Sequence, residues 1–137
     1  MSITLNTSNT LRRTRRVTGV VAAPVAAFMV WLAAGPLAGI DLTVRTGGGI
    51  QDVAPVDVVL AALAAGLAAW ALRVALDRVS GGGRTAWTAI AVVVLLASLL
   101  LGPLGGTTVA ATIVLVTMHV VVAAALIPTM APPADRG

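Results

Sequence analysis

The chain has 137 residues, 58% of them apolar and 10% charged, with nine basic residues that are all Arg, five acids that are all Asp, and a formal net charge of +4. So apolar a chain of this length exceeds what a soluble domain buries, which excludes an ordinary water-soluble globule and makes lipid the natural cover for the remainder. Nucleic acid is not indicated either, because the arginines stand in short groups between long apolar runs, and a chain without cysteine has no disulfide, thiolate nucleophile or sulfur ligand.

Residues 1–16 form a polar segment ending in Arg12, Arg13, Arg15 and Arg16. An apolar run follows at 17–38, about 33 Å long at 1.5 Å per residue, enough to cross a hydrocarbon core of about 30 Å. It reads as a retained anchor, since the apolar region of a cleaved signal peptide is typically about 7 to 15 residues.

The stretch IDLTVRTGGGIQD at 40–52 comes next. Ile40, Leu42 and Val44 alternate with Asp41, Thr43 and Arg45, a period of two that predicts a short extended segment. In an extended chain Asp41 and Arg45 lie about 13 Å apart, too far to pair with each other. Gly47, Gly48 and Gly49 lack the Gly-Lys-Ser/Thr ending of a phosphate loop and read as a flexible turn. The whole connection at 39–57 is longer than a turn requires. Asp41, Arg45, Asp52 and Asp57 are its candidate contact surface, against the plainer reading of a passive lid over the bundle.

A second span covers 53–76, with Asp52 as N-cap, Pro55 in the first turn and Asp57 near the positive helix end. Ala62 and Gly66 form a small-xxx-small pair that predicts close backbone approach, and so a central place for this helix or a dimer contact. Arg73, near the other end, is placed to snorkel to the interface. A third span at 86–101 is stopped by GPLGG at 102–106, and a fourth at 108–127 is stopped by Pro128, leaving a tail at 129–137. GPLAG at 35–39 echoes GPLGG and raises a duplicated hairpin, although Gly and Pro end helices in any case.

Thr108, Thr112 and His119 fall on one stripe of the fourth helix. His119 is the single histidine, and counting inward sets it near the depth of Gly66. These four residues form the candidate ligand site or polar core. The ring is either interhelical glue or a polar anchor for a lipophilic ligand, with a single axial haem bond as a further reading.

Eight of the nine arginines lie on one side of this arrangement (12, 13, 15, 16, 73, 78, 84 and 136) and only Arg45 on the other. By the positive-inside rule both termini are expected in the cytoplasm and the 39–57 loop outside, with Trp31, Trp70 and Trp87 at the interfaces.

Catalysis lacks residues. With no Lys, Glu, Cys or Tyr, and with the aspartates in loops or at helix ends, no acid is available at mid-membrane to carry a coupling proton. No His-Glu-x-x-His is present, one histidine cannot close a metal site, and the serines lack a nucleophile elbow. The expectation is a non-enzyme without metal or cofactor.

The segments AGIDLTVRTGGG, GPLGG and MHVVVAAALIP resemble those of a family of small four-span membrane proteins of unknown function from high-GC bacteria. The resemblance implies the span count and no activity. The sequence therefore predicts an all-α, four-transmembrane-helix bundle in a bacterial cell membrane. It acts as an accessory or interaction subunit through the 39–57 loop, or alternatively binds or carries a small lipophilic molecule within the bundle. Its expected partners are the lipid bilayer and either a second copy or another membrane protein, not nucleic acid.

Overall fold

A computed structural model describes residues 2–79 and 83–132. Arg136, most of the expected tail and the middle of the turn after Asp77 lie outside the described residues. Four helices dominate: α1 (Ser2–Leu32), α2 (Pro55–Val79), α3 (Arg84–Leu101) and α4 (Val109–Met130). Each, with its flanking turns, provides a stretch long and apolar enough to cross a membrane.

Three boundaries differ from the sequence reading. The arginine-rich segment before residue 17 is not a separate extension but the first half of α1. Arginine is a good helix former, and the Thr14 and Thr18 hydroxyls return to the carbonyls of Thr10 and Thr14. Pro128 does not stop α4, which continues to Met130. The backbone closes around the proline because Ala131 N–H reaches Ile127 O and the Thr129 hydroxyl reaches Ala125 O. Asp52 is not the N-cap of α2; strand pairing with Thr43 holds it, and Ala54 O accepts the first N–H groups of the helix, from Asp57 and Val58.

At its far end α1 loosens into a π-type turn, Ala33–Leu37, around Pro36, whose missing N–H weakens an α-turn. Gly39, at φ +68°, then reverses the chain. The alternating stretch is indeed extended: β1 (Thr43–Thr46) pairs antiparallel with β2 (Gly49–Asp52) around Gly47 and Gly48. Leu42 is buried while Asp41 and Arg45 are exposed, as alternation requires.

This hairpin lies across one end of the bundle. Trp31 Nε1–H donates to Val53 O at 2.8 Å, Thr107 N–H to Thr43 O at 3.1 Å, and the Thr43 and Thr107 hydroxyls are hydrogen-bonded to each other. At the opposite, arginine-rich end Asp77 accepts from both Arg16 (2.8 Å) and Arg73 (2.6 Å), and Arg15 reaches Pro128 O. Arg73 does not extend to the surface as expected. It is 3% exposed, directed one helical turn along α2 to Asp77 and packed between helices.

The central helix is α1, not α2. It packs along both α2 and α4, and its buried stripe of Gly19, Ala23 and Ala27 has no side chain larger than a methyl group to hold the neighbours away. Gly66 faces Val20, beside this stripe: a Cβ there would sit 3.3 Å from the Cα of Val20. Gly66→Leu should therefore destabilise the protein by about 1 to 3 kcal/mol, whereas Leu67→Ala, at a position 51% exposed, should be nearly neutral. Thermal melts of the two purified variants compare them directly, and equal melting would place Gly66 outside the α1 contact.

Helix α3 is the exception to close packing. Trp87 is its single buried residue. It leans on α4 and scarcely touches α2, which leaves a gap on one side of the bundle.

Candidate functional site

That gap is a cleft of about 780 Å³ between α2, α3 and α4, within the 300–1,000 Å³ range of small-molecule sites. Its α2 wall is mostly alanine, including Ala61, Ala62, Ala65, Ala68 and Ala69, and ends in Leu72. Side chains this short on a helix leave the space unfilled. Opposite them α3 contributes Ala91, Val94, Leu95 and Ser98, while Leu115, Met118, His119, Val122 and Leu126 of α4 form the floor. From Asp57 to Leu72 the cleft follows α2 for roughly 22 Å at 1.5 Å per residue.

Polar groups occur at two levels. The hairpin end is bordered by Gln51, Asp52 and Asp57, with both carboxylates exposed. Partway along the floor His119 and Ser98 face the same space from α4 and α3. His119 Nδ1 lies 2.8 Å from Leu115 O, and the Ser98 hydroxyl donates to Leu95 O at 2.8 Å. Gly102, at the end of α3, borders the imidazole; a Cβ there would stand 3.3 Å from Nε2. At the arginine-rich end Trp87 closes the cleft, with its Nε1–H on Ile127 O at 3.1 Å. Trp87 is 2% exposed, so it is an internal strut and not the interfacial anchor that its position in the sequence predicts.

The four residues proposed as one polar core are thus dispersed. Only His119 borders the cleft. Thr108 caps α4, its hydroxyl accepting from Ala111 N–H at 3.0 Å, and Thr112 packs under the turn at Gly106. Gly66 meets Val20, so the room beside the imidazole is left by Gly102 and not by Gly66. The loop set divides too. Asp52 and Asp57 border the cleft, while Asp41 and Arg45 stand on the exposed face of the hairpin. Among the described residues no three His, Cys, Asp or Glu side chains come together to hold a metal ion.

Sequence reading missed Ser98, Gln51 and the alanine wall. The wall had a signal: Ala61, Ala65, Ala68 and Leu72 recur at intervals of four, three and four, one continuous helix face. Gly66 lies on the adjacent face against Val20, and Ala62, which borders the cleft as well, lies between the two; composition does not distinguish them.

The family described as "Family of unknown function (DUF6069)" matches the chain over residues 7–136. No curated protein and no solved structure matches it.

Proposed function

The chain belongs to the DUF6069 family of unknown function, and from that premise we propose that it is a four-span bacterial membrane protein that binds a lipophilic molecule in the cleft between α2, α3 and α4. The observation that carries this reading is the cleft itself, about 780 Å³ of mainly apolar lining interrupted by few polar groups. A space opening between helices that face hydrocarbon is filled by something apolar, since exposing its walls to water is unfavourable at about 25 cal/mol per Å². The arginine distribution supports an orientation with both termini in the cytoplasm and the hairpin outside.

Filling the cleft tests the binding. Ala65→Phe occupies the space from the α2 wall, where the native side chain is already exposed, so folding should survive. Any lipophile that co-purifies with the parent and is identified by mass spectrometry should fall at least about tenfold, a loss of about 1.4 kcal/mol in binding. Leu67→Phe, outside the cleft, should retain it. Equal retention by Ala65→Phe would remove the cleft as the binding site.

Orientation is tested separately. The cysteine-free background permits single labels, and a cysteine at Gly48 should react with an impermeant reagent in intact cells while one at Gly83 should not. The reverse pattern would invert the topology.

A second reading, an accessory subunit docking through the hairpin, is favoured by one observation: the hairpin is pinned to the bundle by Trp31 and Thr107 and presents exposed Arg45 and Ile50, the latter 63% exposed. Arg45→Asp should release a partner in that case and leave cleft occupancy unchanged.

A further inference from the structure

We infer that the cleft selects an uncharged lipophile bearing a hydroxyl group, a lipid alcohol in chemical class, and holds it by a hydrogen bond from that hydroxyl to Nε2 of His119. This rests on the cleft reading above and goes beyond it by specifying what the occupant must donate.

The hydrogen-bonding sense of the lining decides the chemistry. The Leu115 carbonyl only accepts, so the contact at 2.8 Å requires the proton of His119 on Nδ1. In the neutral ring Nε2 is then an acceptor. Ser98 commits its hydroxyl hydrogen to Leu95 O, so its remaining capacity is also to accept. Both polar side chains at this level therefore seek a donor. At the hairpin end the carboxylates of Asp52 and Asp57 add further acceptors, and among the described residues no arginine borders the cleft. A fatty acid or phospholipid phosphate would meet no cation and two like charges. A plain hydrocarbon would leave Nε2 in an apolar setting without a partner, which is unfavourable. A hydroxyl satisfies it.

Gly102 makes the contact accessible. Because a Cβ at this position would come within 3.3 Å of Nε2, any larger residue crowds the edge of the ring that the ligand must reach. Beyond His119 the floor continues to Ile127, about 12 Å at 1.5 Å per residue, facing Ala91, Val94 and Leu95. That apolar length takes the alkyl chain.

The single histidine gives a site-specific probe. Protein labelled with ¹⁵N-histidine and reconstituted in lipid nanodiscs would be titrated with 1-dodecanol, dodecanoate and dodecane. The expected result is an Nδ1–H tautomer whose Nε2 resonance moves with dodecanol and stays in place with the other two. Dodecanol affinity, measured by competition against the co-purifying lipophile, should fall about five- to tenfold in His119→Leu, as for loss of one neutral hydrogen bond. Gly102→Ala should act in the same direction without altering the ring, and carries the test if His119→Leu fails to fold. Binding of all three probes with an unmoved Nε2 resonance, or a preference for dodecanoate, would overturn the inference and leave the cleft reading intact. No binding of any probe by a protein with the mass of two chains would overturn both, seating a helix of the second copy in the cleft.

Discussion

Trp87→Ala should be the most damaging single truncation in the protein, destabilising it by about 3 to 5 kcal/mol, the range for removing a large aromatic from a packed site. Trp87 is 2% exposed and is the one residue of α3 that is fully enclosed, packed in the cluster of Val20, Ala23, Leu126 and Met130. Elsewhere α3 has little to hold it, since it scarcely meets α2. Loss of the indole therefore removes both the packing and the Nε1–H bond to Ile127 O. Trp87→Phe separates these contributions: it keeps most of the apolar contact and loses the hydrogen bond, worth about 1 kcal/mol. Thermal unfolding of the purified proteins should rank parent, Trp87→Phe and Trp87→Ala in that order, with the larger step at alanine. Parent-like melting of Trp87→Ala would mean that α3 is held by something other than this strut.

Gly19→Leu should prevent α1 from seating against α4. A Cβ at Gly19 would run into Thr129 Oγ1 and lie 2.9 Å from Thr129 Cβ. The hydroxyl alone could rotate aside by giving up its bond to Ala125 O, but Cβ is fixed to the backbone, so the helices must separate. Overpacking of this kind typically costs about 1 to 3 kcal/mol and at times more. Val20, the next residue, touches Gly66 of α2, so a displaced α1 disturbs both of its neighbours. Gly19→Ala should show the same effect in smaller degree, and adding Thr129→Ala should recover part of it by removing the nearer atom. Absence of any recovery in the double variant, measured as melting temperature and monodisperse yield, would show that the clash is not with Thr129.

The four helices long enough and apolar enough to cross a membrane were legible in the sequence because crossing lipid is a one-dimensional requirement. Each span must be a long apolar run with its backbone groups satisfied internally, and glycine, proline and arginine mark where such runs stop. The period-two alternation at residues 40–45 was legible for a similar reason: one strand face packs and the other does not, so Leu42 is buried while Asp41 and Arg45 are exposed. The misplaced boundaries are those where a local rule met a tertiary contact. Asp52 is a good N-cap by type, but pairing with Thr43 holds it in a strand. Pro128 is a helix breaker, yet the Thr129 hydroxyl and Ala131 N–H keep the final turn of α4 closed around it.

The site was decided almost wholly by tertiary structure. Composition announces that α2 is rich in alanine and glycine but not which small face meets a neighbouring backbone and which borders empty space; that depends on the rotation of the helix and on where α3 stands. Gly66 meets Val20 of α1, Ala61, Ala65 and Ala68 line the cleft, and Ala62 borders both the cleft and the α1 contact. His119 was recognisable as an unusual group for a span, because a lone ionisable ring among apolar residues is visible without coordinates. Its neighbours were not, since Ser98 and Gly102 come from another helix and are brought to it by the α3–α4 turn. Helices long and apolar enough to cross a membrane follow from hydropathy summed along the chain, which a sequence contains in full; the cleft follows from the separation of two helices, a distance that no single stretch of residues encodes.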